Sequence, residues 1–399
     1  MTKSSSLTFA KSPTAARLAG YYVALGGVGL TSAALGPTLS DLAAQTHSTL
    51  SAISVLFAAK SFGYLAGSLL AGRLYDRVRG HPVVALATLA TAVSMMFVPF
   101  SPWLWLLVVV MTALGVVEAT TDVGTNTLIV WAYGDGVGPY MNGLHFAFGV
   151  GAFLSPLIVA QVMARGGGLA WTYWALAFLV LPPAFWLARL PSPQSRAVAQ
   201  ASQTGPVKYG LVALFVACFF FYVGAEVSFG SWVYTYANRL GLADVTTAAY
   251  LTSAFWGALT AGRLLAIPIA ARFRPRAIMA GNLAGCLVSV GLALAFPHSA
   301  LALWISAVGT GLSMASIFPT LMNLAGRRLP LSGQITSLFF VGSSLGAMFW
   351  PWLIGQFFEP VGPHVAMVLT FIALLLDVVV FTLLMISAPQ PGAPNAHSQ

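Results

Sequence analysis

Apolar residues in this chain come in long unbroken runs, not in the three-and-four spacing of a helix with one wet face, and each run is long enough to cross a bilayer at about 20 residues per crossing. Twelve spans are predicted, at 17–39, 51–73, 82–101, 103–131, 139–163, 169–189, 209–237, 245–271, 277–297, 299–325, 333–358 and 364–387. An even number puts both chain ends on one side. With that side in the cytoplasm, the clusters Arg73/Arg77/Arg79, Arg272/Arg274/Arg276 and Arg327/Arg328 all lie inside, and only Arg165 and Arg239 fall in loops opposite. Such asymmetry sets orientation. The expected architecture is an all-α, multi-pass protein of the cell inner membrane with cytoplasmic termini.

Composition agrees. Hydrophobic residues make up 58% of the 399 and charged residues 7%, against about 25% charged in soluble domains, and mean hydropathy is +0.85. The net charge of +9 is spread thinly over loops, which fits the topology and excludes a nucleic-acid surface. The expected partners are therefore the lipid bilayer and a small molecule. Cys218 and Cys286 lie inside apolar spans with no Cys/His cluster around them, so no disulfide framework or metal site is expected, and no cofactor. The start, MTKSSSLTFAKSPTAAR, is basic and leads into a long span without a small-residue cleavage site, so that span is expected to stay.

Residues 191–208, PSPQSRAVAQASQTGPVK, have the composition of a flexible cytoplasmic linker. They divide the chain into 1–190 and 209–388, six spans each, with a tail at 389–399. The halves echo each other. Ala71-Gly72-Arg73-Leu74 recurs as Ala261-Gly262-Arg263-Leu264 at an offset of 190, and the Gly151, Ala152, Pro156, Gln161 pattern recurs as Gly346, Ala347, Pro351, Gln356 at an offset of 195. Two parallel six-helix pseudo-repeats are the build of a transporter whose site lies between repeats at mid-membrane.

Lys60, Glu118, Asp122, Glu226 and Asp377 fall inside the spans. Burying one such charge in lipid costs at least about 2.5–3.5 kcal/mol, so these groups normally face a partner or a cavity. Glu118, Asp122 and Asn126 follow at spacings of four, which places them on one face of the fourth span, each about 6 Å further along its axis. Lys60, at similar depth in the second span, can pair with them, and an ion pair that only pins helices is the plainer alternative. Glu226 lies mid-span beside Tyr222, Ser228, Ser231 and Trp232. An acid with hydroxyls and rings is what a sugar site requires. Trp256, Asn142, His145, Ser343, Ser344, Trp350 and Trp352 can extend that wall, although Trp and Tyr also serve as packing near interfaces. His145 fits a neutral hydrogen-bonded ring as well as a proton carrier. Asp377 has no visible partner and reads as structural, and Asp41 as a cap or loop carboxylate.

The loop Gly72-Arg73-Leu74-Tyr75-Asp76-Arg77-Val78-Arg79-Gly80 resembles the G-x-L-x-D-R-x-G-R motif of the major facilitator superfamily, with Gly80 displaced by one position. The resemblance implies the major facilitator fold and a cytoplasmic latch built on Gly72, Asp76 and Arg77. Residues 35–43 (LGPTLSDLA), 122–126 (DVGTN), 144–152 (LHFAFGVGA) and 224–232 (GAEVSFGSW) look like the branch of sodium-dependent glucose transporter-like proteins and fucose permeases. That implies a cavity lined by the first, fourth, seventh and tenth helices. It also implies that Asp122 with Asn126 takes the place of the acid-x-x-x-Asn pair that fucose permeases use for proton and sugar handling. Their first-helix acid has no match, since its place is taken by Ala33. A proton relay would then run through Glu118 and Asp122.

The expected function is secondary active transport of a small polar solute, above all a monosaccharide, coupled to H⁺ or Na⁺ in a monomer. Export of drugs or amphipathic compounds is the alternative. An enzyme or sensor would need a nucleophile with its base, a metal cluster or an appended domain, and the sequence offers none. Na⁺ would look for oxygens at Asp122, Asn126, Thr120, Thr121 and Thr125, not all at once, because Thr120 and Thr121 point away from the Asp122/Asn126 face. Lys60 would occupy the place of such a cation, which favours H⁺.

Overall fold

A computed structural model of the chain describes residues 13–193, 208–329 and 333–387. Backbone groups in hydrocarbon must be satisfied within their own segment, so apolar runs of this length become helices. Among the described residues there is no strand. The spans are α1 (Pro13–Ser32 with Leu35–Gln45), α2 (Leu50–Tyr75), α3 (Gly80–Phe100), α4 (Leu104–Tyr133), α5 (Gly138–Ala164), α6 (Leu169–Ala188), α7 (Tyr209–Arg239), α8 (Val245–Arg272), α9 (Pro275–Ala295), α10 (Ala300–Arg328), α11 (Gln334–Val361) and α12 (Val365–Ser387). Every predicted boundary from α2 onward is met within three residues. Most of the linker and all of the tail lie outside the described residues.

The first span departs from expectation. Instead of running straight over 17–39, it bends by 48° between Ser32 and Leu35 and continues to Gln45. Pro37 supplies the reason: its missing N–H and its ring disrupt the helical bond to the carbonyl four residues back, at Ala33. α10 breaks in the same way between Met314 and Ile317, four residues ahead of Pro319. Asp41 consequently sits inside a helical segment and caps nothing.

The packing pattern repeats along the chain. α1 packs on α5 and α2 on α4, and in the later spans α7 packs on α11 and α8 on α10, while α2 meets α11 and α5 meets α8. The glycines of the repeated motif lie in these seams. Gly151 touches the carbonyl of Gly26, and Gly346 that of Phe220, with no room for a Cβ at either. Between α2 and α4, Gly63, Gly67 and Gly115 lie against the carbonyls of Thr112, Val116 and Lys60. Seams of small residues let backbones approach closely, which is how helices associate where hydrophobicity supplies no force between them. Facing outward is a belt of apolar side chains, with Leu86 67% and Val288 74% exposed.

Candidate functional site

The close α2–α4 seam brings two ladders with spacings of four into register: Lys60 and Tyr64 on α2 against Glu118, Asp122 and Asn126 on α4. Lys60 Nζ lies 3.0 Å from Glu118 Oε1, and it also donates to the Thr31 carbonyl beside the break in α1 at 3.2 Å. Ser32 Oγ donates to Glu118 Oε2 at 3.4 Å. Glu118 is 1% exposed. One turn further along, Asp122 has different partners. Tyr64 donates its hydroxyl to Oδ2, Asn126 Nδ2 donates to Oδ1 at 2.7 Å, and the His145 ring of α5 lies within electrostatic range. The two acids of one helix face thus belong to separate clusters.

Across from them stands a third cluster. Tyr222 donates its hydroxyl to Glu226, one turn along α7, and also approaches the Met314 carbonyl at the break in α10, 3.4 Å away. The Arg263 guanidinium lies within electrostatic range of Glu226 and donates to the backbone carbonyl of His145 at 3.4 Å. Arg263 therefore bridges α8 to α5. The Lys60–Glu118 contact is the one ion pair among the described residues.

The remaining predicted residues divide. His145 and Asn142 are exposed on α5 towards the end that carries the basic loops. Trp256 packs against Gly230 and Phe255, and its indole N–H has no partner among the described residues. Trp232, expected in the ligand wall, is instead fully buried, stacks on Phe358 and donates its N–H to the Pro351 carbonyl at 3.0 Å. Ser343 donates to the Phe339 carbonyl of its own helix at 3.0 Å. Thr120, Thr121 and Thr125 likewise donate their hydroxyls to backbone carbonyls one turn back. Gly72, Asp76 and Arg77 are exposed at the end of α2, with no side-chain bond from Asp76 or Arg77 among the described residues.

At the opposite end the bundle is sealed. Gln356 accepts from Ser51 Oγ at 2.9 Å and donates to Ser51 O at 3.0 Å and Ser54 Oγ at 3.1 Å. Glu359 accepts from Leu50 N at 3.1 Å. Gln161, the repeat-mate of Gln356, bonds Tyr250 at 2.7 Å between α5 and α8. The matched glutamines of the repeat thus clasp the two helix pairs that join the earlier spans to the later ones. Tyr64 and Arg263 escaped the sequence reading, although an arginine eighteen residues into an apolar span is a signal in itself.

The sequence profile of the Major Facilitator Superfamily matches residues 21–330. Sodium-dependent glucose transporter 1A of Mus musculus is 32% identical over 372 residues, 84% of this chain and 88% of its own length. Sodium-dependent glucose transporter 1 of Homo sapiens is 32% identical over 367 residues, 82% of this chain and 71% of its own. Among solved structures, a mutant form of the nucleoside transporter NupG superposes with a TM-score of 0.74 at 14% identity, over 93% of this chain and 99% of its own. The twelve spans, their repeated packing and these matches agree: the chain belongs to the major facilitator superfamily.

Proposed function

We propose that this protein is a secondary active transporter that carries a small polar solute, above all a monosaccharide, by rocking 1–190 against 209–388 around a central cavity, with 191–208 as the linker and 389–399 as the C-terminal tail. The names of its relatives, sodium-dependent glucose transporters at 32% identity, support the sugar. Glu226, Trp256, Asn126, Asn142 and His145 are the binding groups in this reading, with the buried Tyr222 holding Glu226 in place through its hydroxyl, and Gly72, Asp76 and Arg77 close the cytoplasmic end when it shuts. The protein works as a monomer in the cell inner membrane with both termini inside.

Charge accounting carries the coupling assignment. Glu118 is neutralised by Lys60 at 3.0 Å, and Glu226 has Arg263 within electrostatic range. Asp122 has neither an ion pair nor a lysine or arginine in electrostatic range among the described residues, and its one charged neighbour is the His145 ring. Asp377 also lacks an ion pair among them but is fully buried in α12 against Cys218 of α7, so Asp122 is the acid left in the central clusters to take the coupling cation, and H⁺ suits it, because Thr120 and Thr121 lie off the Asp122/Asn126 face of their helix. Na⁺ is the second reading, favoured by the relatives' names. Proteoliposomes decide between them: counterflow of labelled glucose supports sugar transport, and accumulation under a pH gradient without sodium supports H⁺. Accumulation only with a sodium gradient would establish the second reading. Absence of sugar counterflow, with efflux of an amphipathic dye, would establish a drug exporter instead.

A further inference from the structure

Between α9 and α12, away from the central clusters, a groove of about 310 Å³ opens at the end of the bundle that carries the basic loops. Its floor is apolar apart from Thr382, with Ala280, Leu283, Ala284 and Leu287 from α9 and Val378 and Phe381 from α12. Its mouth is cationic. Arg276 lines it, and Arg328 is held at the rim by bonds to Leu384 O at 3.1 Å and Met385 Sδ at 3.4 Å. The two guanidiniums are near enough to repel each other.

Neither makes an ion pair among the described residues. After Asp244 the only acids in the sequence are Glu359 and Asp377. Glu359 sits at the sealed end on Leu50 N, and Asp377 is fully buried in α12, turned towards Cys218 of α7. The segments outside the described residues carry no acid either. A membrane-facing groove that is apolar along its length and positive at its mouth matches one occupant in charge and shape. We infer that it binds an anionic phospholipid, with the phosphate between Arg276 and Arg328 and an acyl chain along the α9–α12 floor. From Arg276 to Leu287 the floor runs eleven residues, about 16 Å at the helical rise, the reach of an acyl chain's upper half and more. Basic pockets between spans on the cytoplasmic side recognise lipid headgroups in this way.

The test uses the full-length protein purified in detergent, with phosphatidylglycerol, phosphatidylcholine and inorganic phosphate as probes. Lipid retention is read by native mass spectrometry and stabilisation by thermal unfolding. Phosphatidylglycerol is expected to bind and stabilise in preference to phosphatidylcholine, and Arg276→Ala is expected to weaken it about fivefold, the value of one arginine near an anionic surface. Arg274→Ala changes the same charge outside the groove and serves as the control, with a smaller effect expected. Ala284→Leu fills the floor without touching charge and is expected to expel the lipid. Equal losses for Arg274→Ala and Arg276→Ala would overturn the site in favour of diffuse surface charge. Stabilisation by inorganic phosphate equal to that by phosphatidylglycerol would overturn the lipid as occupant, and so would unchanged retention in Ala284→Leu.

Discussion

Replacing Lys60 with methionine keeps an unbranched stem one atom shorter and removes its charge, leaving Glu118 enclosed against the α2–α4 seam. At 3.0 Å two unit charges attract by about 5–6 kcal/mol at an effective dielectric near 20. Desolvating both groups offsets most of that, so the intact pair adds little net stability, whereas a lone buried charge is costly. Glu118 is 1% exposed and water cannot easily take over. Lys60→Met should therefore destabilise by about 3–5 kcal/mol, and Lys60→Met/Glu118→Gln should recover most of the loss, because the double variant leaves no stranded charge. The measurement is a double-mutant cycle on denaturant unfolding in detergent micelles, with glucose counterflow followed in parallel. Additive losses in the double variant, or a single variant as stable as wild type, would show that the two side chains do not depend on each other.

Asp122→Asn should abolish gradient-driven accumulation while counterflow persists, and loss of both in a folded protein would make Asp122 a binding group instead. Gln356→Ala removes three bonds of the seal, each worth about 1 kcal/mol, so spin labels at the sealed ends of α2 and α11 should report an opened population raised by about a hundredfold. Gln161→Ala removes one bond and should shift it only about fivefold. Asp76→Asn should alter the balance of inward and outward states with solute affinity in each state unchanged; a loss of binding itself would move Asp76 into the site. Gly115→Val should prise α2 from α4 at a cost of about 1–3 kcal/mol, read by the same unfolding assay, since a branched side chain has no space against the Lys60 carbonyl.

Much of the architecture is legible in the sequence because lipid allows few solutions. A run of apolar residues in hydrocarbon becomes a helix, and the basic loops count off the sides. The Lys60–Glu118 contact is accessible too, since both residues fall near mid-depth in their spans. What periodicity does not convey is how the α4 acids divide. Glu118 and Asp122 share a face, yet Lys60 and Tyr64 share one as well, and only the register of the glycine seam decides which acid meets which partner. Arg263 is hidden behind its own repeat: in the earlier half the matching Arg73 is exposed at the end of α2, while Arg263 reaches towards Glu226. Trp232 belongs to the same class of miss. Its composition fits a sugar wall, but the direction of the ring is set by Phe57 and Phe358 on helices far away in sequence.

The glycine seams and the exposed apolar belt have a calorimetric consequence. In a soluble protein of 399 residues, exposing the core to water would raise the heat capacity by about 5–6 kcal/mol/K, at the usual increment of about 12–15 cal/mol/K per residue. Here the faces that separate when α2 leaves α4 or α7 leaves α11 go into lipid or detergent, where no water shell forms around them. The heat-capacity increment of helix separation should be a small fraction of the soluble value. Stability would then fall almost linearly with temperature, without the cold-side maximum that hydrophobic cores in water impose.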